Sequence, residues 1–188
     1  MEEVLFGGPV DANVPQDDAL ARWESPLYVK FADDRAEAHR PQIEGLLERF
    51  TRLSGIPARV VSPGAAANVT VSFTPDATFV VNRERVPCFA RVRVKAGKLI
   101  QAVVRIGVGD GPAIRRCLAH EFYHVFGLRY HSARVRSILS PVHGETSPTA
   151  WDDLALQVLY DADLKPGLSK AQARPILDAV IARLIEKS

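Results

Sequence analysis

Apolar and polar positions alternate from Leu27 to Phe31, the pattern of a half-buried strand. Over residues 33–53 the period changes. Ile43, Leu46, Leu47 and Phe50 recur at helical spacing and predict one long amphipathic helix, stopped by Gly55-Ile56-Pro57. Residues 58–62, 68–73 and 78–81 are short and rich in β-branched side chains, and read as strands. Residues 90–95 and 99–106 read as a strand pair, joined at Ala96-Gly97-Lys98 by a hairpin turn. Gly111-Pro112 opens the next helix, with proline suited to its first turn. Two more helices are predicted over 149–160 and 169–187, with Thr149 and Ser169 as N-caps. Pro175 lies inside the last one and predicts a kink or a later start.

Strand, helix, several strands and then helices predict an α/β protein with a mixed sheet and a helical C-terminal part. The 188 residues suffice for one domain with its own core. Residues 1–22 hold Gly7, Gly8, Pro9 and Pro15 and read as an irregular arm, which Trp23 anchors to a single domain over 23–188.

Composition narrows the function classes. The net charge of +2 is too small to argue for nucleic acid or an anionic membrane. Arg129, Arg134 and Arg136 are the nearest thing to a basic patch along the chain, and read as a solvated loop. No apolar run is long enough to span a bilayer. The acidic start Met1-Glu2-Glu3 is not that of a signal peptide, which by itself predicts a cytoplasmic chain unless a leader has been trimmed. Cys88 and Cys117 are either two buried thiols or one disulfide.

The candidate chemistry lies in residues 117–131, CLAHEFYHVFGLRYH. His120 and His124, four apart, fall on one helix face and can reach a single cation, with Glu121 beside them. H-E-x-x-H is the zinc-peptidase pattern, in which the glutamate is general base. Gly127 can end the helix in a left-handed turn and bring His131 back as a third ligand, which leaves the fourth tetrahedral position for water. If the helix runs straight through Gly127, His131 lies about 10.5 Å further along the axis than His124, out of reach. Asp152, Asp153 or Glu145 then becomes the candidate third ligand. Asp152 and Asp153 otherwise read as helix N-terminal charges, His39 as a solvated helix residue, and Cys117 as packing or pairing with Cys88.

His120-Glu121-x-x-His124-x-x-Gly127 resembles the metzincin signature. The third histidine comes one residue late, at His131, with Tyr130 in its usual place. Residues 137–143, SILSPVH, resemble the matrixin turn, with Leu139 where the methionine stands and His143 where the tyrosine stands. Trp151-Asp152-Asp153 and Val158-Leu159-Tyr160 resemble the helix that closes matrixin catalytic domains. This likeness implies a metzincin-like (zincin) fold and a zinc endopeptidase. In it His120, His124 and His131 hold Zn²⁺ and Glu121 is the base. Tyr130 or His143 binds the oxyanion, Pro141, Val142 and His143 wall the substrate pocket, and residues 90–94 form an edge strand for an extended protein or peptide substrate. A monomer is expected. The alternative is a metzincin-like domain that binds zinc or a peptide without turnover.

Trp23, the two cysteines, Gly127-Leu128 and Leu159-Tyr160-Asp161 with Pro166-Gly167 are also similar to a bacterial family of exported domains of unknown function. The motif of that family usually reads E-E-x-x-Q and then G-L-x-x-D, the aspartate standing at His131. This resemblance implies a secreted or periplasmic protein.

Overall fold

Seven strands and six α-helices arise from these patterns in the computed structural model, which describes residues 1–11, 19–81 and 83–186. The first strand is β1 (Leu27–Phe31), as the alternation predicts. Strands β2 (Ala58–Val60), β3 (Val69–Phe73) and β4 (Phe79–Val81) fall within the predicted runs. β5 (Glu84–Val86) carries only three residues and no alternation, and the sequence pattern misses it. β6 (Cys88–Lys95) and β7 (Lys98–Ile106) form the expected hairpin. Its two loop residues, Ala96 and Gly97, both have positive φ (50° and 72°), the twist a two-residue hairpin turn requires.

The main sheet has the order β2-β1-β3-β7-β6. Its first four strands are parallel, and β6 is antiparallel at one edge. β4 and β5 pair as a separate ribbon. The fold is thus mixed α/β with a mostly parallel sheet.

The predicted long helix is two helices, α2 (Asp34–Ala38) and α3 (Arg40–Ser54). Pro41 has no N–H for the Glu37 carbonyl, so the turn closes at His39, whose N–H bonds the Ala36 carbonyl at 3.1 Å, and α3 restarts with proline in its first turn. His39 stacks on Phe73, with centroids 4.9 Å apart, rather than standing free on a helix face. Gly55 ends α3 in the left-handed region, as predicted.

α4 (Gly111–Val125) packs on β6 and β7. Asp110 caps it, accepting from the Ala113 N–H at 2.8 Å. α5 (Ala150–Leu159) and α6 (Lys170–Ile185) begin at reciprocal capping boxes on Thr149 and Ser169. α6 starts at its cap and runs on through Pro175. Lys187 of the predicted span lies outside the described residues.

The N-terminal arm is not irregular throughout. α1 (Glu2–Phe6) buries Val4, Leu5 and Phe6, and a 3-10 turn follows at Pro9–Asp11. Val4 accepts a hydrogen bond from the Tyr130 N–H (3.2 Å), and the Ser132 hydroxyl donates to Glu3 (2.6 Å). Apolar burial therefore docks this segment on the chain just after α4. Pro15 of the predicted arm lies outside the described residues.

The core is densest at the C-terminal end of α4. Phe50 stacks on Phe126 at 4.3 Å. Trp23 donates its indole N–H to the Val125 carbonyl (2.7 Å), and the Tyr160 hydroxyl donates to the Phe126 carbonyl (2.9 Å). These two side chains satisfy carbonyls that a helix end leaves without partners. No helix among the described residues is long and apolar enough to cross a membrane.

Candidate metal centre

Helix periodicity brings His120 and His124 together on α4, and the turn after the helix brings in the third histidine. Gly127 has φ 110°, its N–H bonds the His124 carbonyl (3.0 Å), and the Leu128 N–H reaches back to the Tyr123 carbonyl (3.1 Å). This six-to-one closure is a Schellman-type stop. A side chain at Gly127 would also press on Leu159 Cδ2 at 2.9 Å and the Ala21 carbonyl at 3.2 Å, so both backbone and space require glycine. The straight-helix alternative is excluded, and His131 turns back to the other two.

His120 Nε2 lies 3.1 Å from His124 Nε2 and 3.2 Å from His131 Nε2. The opposite ring nitrogens are all occupied. His120 Nδ1 contacts the Ile138 carbonyl (2.9 Å), His124 Nδ1 the Leu128 carbonyl (2.7 Å) and His131 Nδ1 the Asp11 carboxylate (2.8 Å). Oxygen acceptors at all three positions make Nδ1 a protonated nitrogen in each ring, so the lone pair of each neutral imidazole lies on Nε2. Three lone pairs facing one point repel one another unless a cation lies between them. Tetrahedral zinc at ordinary Zn–N distances separates its nitrogens by about 3.3 Å, close to what is found here. The three histidines can therefore hold one metal ion, and no other group of three or more such ligands occurs among the described residues.

The other candidate ligands are engaged elsewhere. Asp153 forms a two-pronged pair with Arg49 (2.7 and 2.8 Å) and accepts from the Tyr123 hydroxyl (3.0 Å). Glu145 pairs with Arg136 at 2.7 Å. Asp152 is fully buried and is more than a helix charge. Its oxygens accept from the Ser137 hydroxyl (2.5 Å) and from the N–H groups of Ile138 (3.1 Å) and Thr149 (2.7 Å). It pins the loop that places the Ile138 carbonyl under His120.

Asp11 is the site residue the sequence does not reveal. It is 7% exposed and holds His131 twice, through the ring and through the main-chain N–H (2.7 Å). A carboxylate on the far nitrogen of a histidine fixes its tautomer and orients it toward a metal.

Glu121 is 4% exposed. Burial pushes its carboxyl up to about 8, opposed by a hydrogen bond from the Ala90 backbone. A cation among the histidines would draw it back toward the ionised form. Burial lowers His120 to about 4 and takes His124 well below its ordinary value, so both rings are neutral at pH 7. The two kinds of shift have opposite consequences for stability. The buried glutamic acid favours the folded state as pH falls, whereas the buried histidines favour the unfolded chain, which takes up protons from about pH 6.5 downward. Metal-free Glu121→Gln removes the opposing limb and leaves the histidines, with the Met1 amine, which burial also lowers, acting in the same direction. It should lose about 2 kcal/mol from His120 alone between pH 7.5 and 5. Denaturant midpoints check this, and a midpoint independent of pH would contradict the burial of neutral rings.

A cleft of about 460 Å³ opens on the three histidines and Glu121. Its wall includes Phe89 and Ala90 of edge strand β6, Val81 and Glu84 of the small ribbon, and Tyr130. Pro141, Val142 and His143 do not line it. The Ser140 hydroxyl contacts the His143 ring at 2.7 Å, Val142 is 65% exposed, and all three face solvent beyond the buried Leu139. Cys88 and Cys117 form a disulfide that ties the first residue of β6 to α4, one turn before His120.

Comparison with the curated proteins finds no match. The structure of myroilysin resembles 57% of this chain at 15% sequence identity, with a TM-score of 0.37, and the likeness spans half of that protein's length. The model of a family described as a protein of unknown function (DUF2927) matches residues 9–179, a stretch that holds Asp11, the three histidines and both cysteines, and the chain belongs to that family.

Proposed function

We propose that this chain is a zinc-dependent endopeptidase of metzincin-like architecture. The observation that carries the reading is the convergence of three imidazole Nε2 atoms, each ring fixed by an oxygen on its far nitrogen. Three neutral nitrogen ligands with one open position suit catalytic zinc. Zinc held there supplies a Lewis acid that polarises a carbonyl and acidifies water.

In this reading His120, His124 and His131 are the ligands, and Asp11 orients His131. Glu121, next to His120 on α4, takes a proton from water and delivers it to the leaving amine. Tyr130, in the cleft wall, is the candidate hydrogen-bond donor to the oxyanion. The edge position of β6 supports an extended protein or peptide substrate laid beside it by strand addition. The Cys88–Cys117 disulfide supports an oxidising compartment, secreted or periplasmic. The chain acts as a monomer.

One observation favours a second reading, a metal- or peptide-binding domain without turnover. Glu121 is buried against the Ala90 backbone. The two readings separate on a broad peptide library incubated with zinc-loaded protein. The peptidase reading expects cleavage that a chelator stops and zinc restores. Intact peptides with fully zinc-loaded protein would leave only the binding domain.

A further inference from the structure

The five strands of the main sheet carry seven lysines and arginines and no aspartate or glutamate. Lys30 lies on β1 and Arg59 on β2. Arg91, Arg93 and Lys95 come from β6, and Lys98 and Arg105 from β7. Strand alternation turns Val29, Val71, Ala102 and Val104 into the core, while all seven cations are exposed on the other face. The register makes that face continuous. Lys95 stands opposite Lys98, Arg93 opposite Gln101, Arg91 opposite Val103, and Phe89 opposite Arg105. Thr70 joins Val103 on one side to Lys30 on the other.

None of the seven is in an ion pair among the described residues. The chain holds 24 basic and 22 acidic residues, so without these seven the remainder is net acidic. The charge is therefore segregated, which a net value of +2 conceals. Such a face attracts polyanions.

Its other features select among them. Val80 (63% exposed), Val103 (39%) and Ile100 (38%) stand in solvent on or beside the cations. A nucleic acid backbone gains nothing from exposed aliphatic groups, whereas the headgroup region of a bilayer accepts them. The aromatic rings are not free for base stacking. Arg91 lies 5.4 Å over Phe89, Arg105 5.7 Å over Phe79 and Arg59 5.4 Å over Tyr28. We propose that this sheet face docks the protein on an anionic lipid bilayer. The proposal is independent of the metal centre.

The test is co-sedimentation of the whole chain with vesicles of phosphatidylcholine alone or mixed equally with phosphatidylglycerol. Binding should require phosphatidylglycerol and weaken with salt. Arg91→Gln/Arg93→Gln/Arg105→Gln should weaken it on the order of 100-fold, about fivefold for each cation lost. Lys30→Gln/Lys95→Gln/Lys98→Gln, on the same face, should act alike. Arg52→Gln/Arg115→Gln/Lys165→Gln removes as much charge from exposed positions elsewhere and should leave binding within a few-fold of the parent. Thermal midpoints verify folding of each variant. Absence of sedimentation with phosphatidylglycerol vesicles overturns the proposal. So does equal loss in the third variant, or capture of duplex DNA through the same arginines without vesicle binding.

Discussion

Glu121→Ala should keep zinc and lower peptide hydrolysis by roughly a thousandfold or more, the scale of a lost general base. The contacts of the base and of the ligands are separable. The three rings are held through Nδ1 by Ile138, Leu128 and Asp11, and Glu121 supports none of them. Its hydrogen bond comes from the Ala90 backbone, so truncation leaves the ligand cluster intact. The carboxyl is buried and favours its neutral form, so its removal costs little stability compared with a buried ion pair. Metal content and cleavage rate measured on one preparation check both halves. Undiminished cleavage in the variant would remove Glu121 from the mechanism.

Asp152→Ala should be the most damaging change outside the ligands. The side chain is fully buried and its oxygens accept from Ser137, the Ile138 N–H and both donors of Thr149. Alanine leaves the buried Ser137 hydroxyl and the Ile138 N–H without this partner, each at about 1–3 kcal/mol, and frees the half-buried Thr149, so a loss of about 4 kcal/mol is expected. The N-terminal capping box of α5 goes with it. The same change frees the Ile138 carbonyl that orients His120, and outer-shell losses of this kind weaken metal binding about 10–100-fold. Denaturant unfolding and a competitive zinc titration measure the two effects. A variant within about 1 kcal/mol of the parent would show that the loop is held by something other than Asp152.

Local pattern carries most of the layout. The β1 alternation, the Gly55 stop and the caps at Thr149 and Ser169 depend on neighbours within a few residues, and each stands where the sequence predicts it. The i, i+4 histidine pair and the glycine after it are equally local, and the three-histidine cluster is legible on that basis. Asp11 is not, because it meets His131 across 120 residues and only through the docking of α1. The carbonyls of Leu128 and Ile138 have no side-chain signature at all. The division of the long helix at His39 comes from Pro41, a local signal outweighed by the apolar period around it. Likeness alone places Pro141, Val142 and His143 in the cleft, and the local bond from Ser140 holds that turn outward. The basic face is invisible along the chain because its residues span 30 to 105 and come together only through sheet register.

Elemental analysis of the purified protein beside His131→Ala decides whether His120, His124 and His131 hold one metal ion. One zinc per chain in the parent, lost or loosely held in the variant, is the predicted result. A parent protein that contains no zinc and takes up none on titration would contradict it.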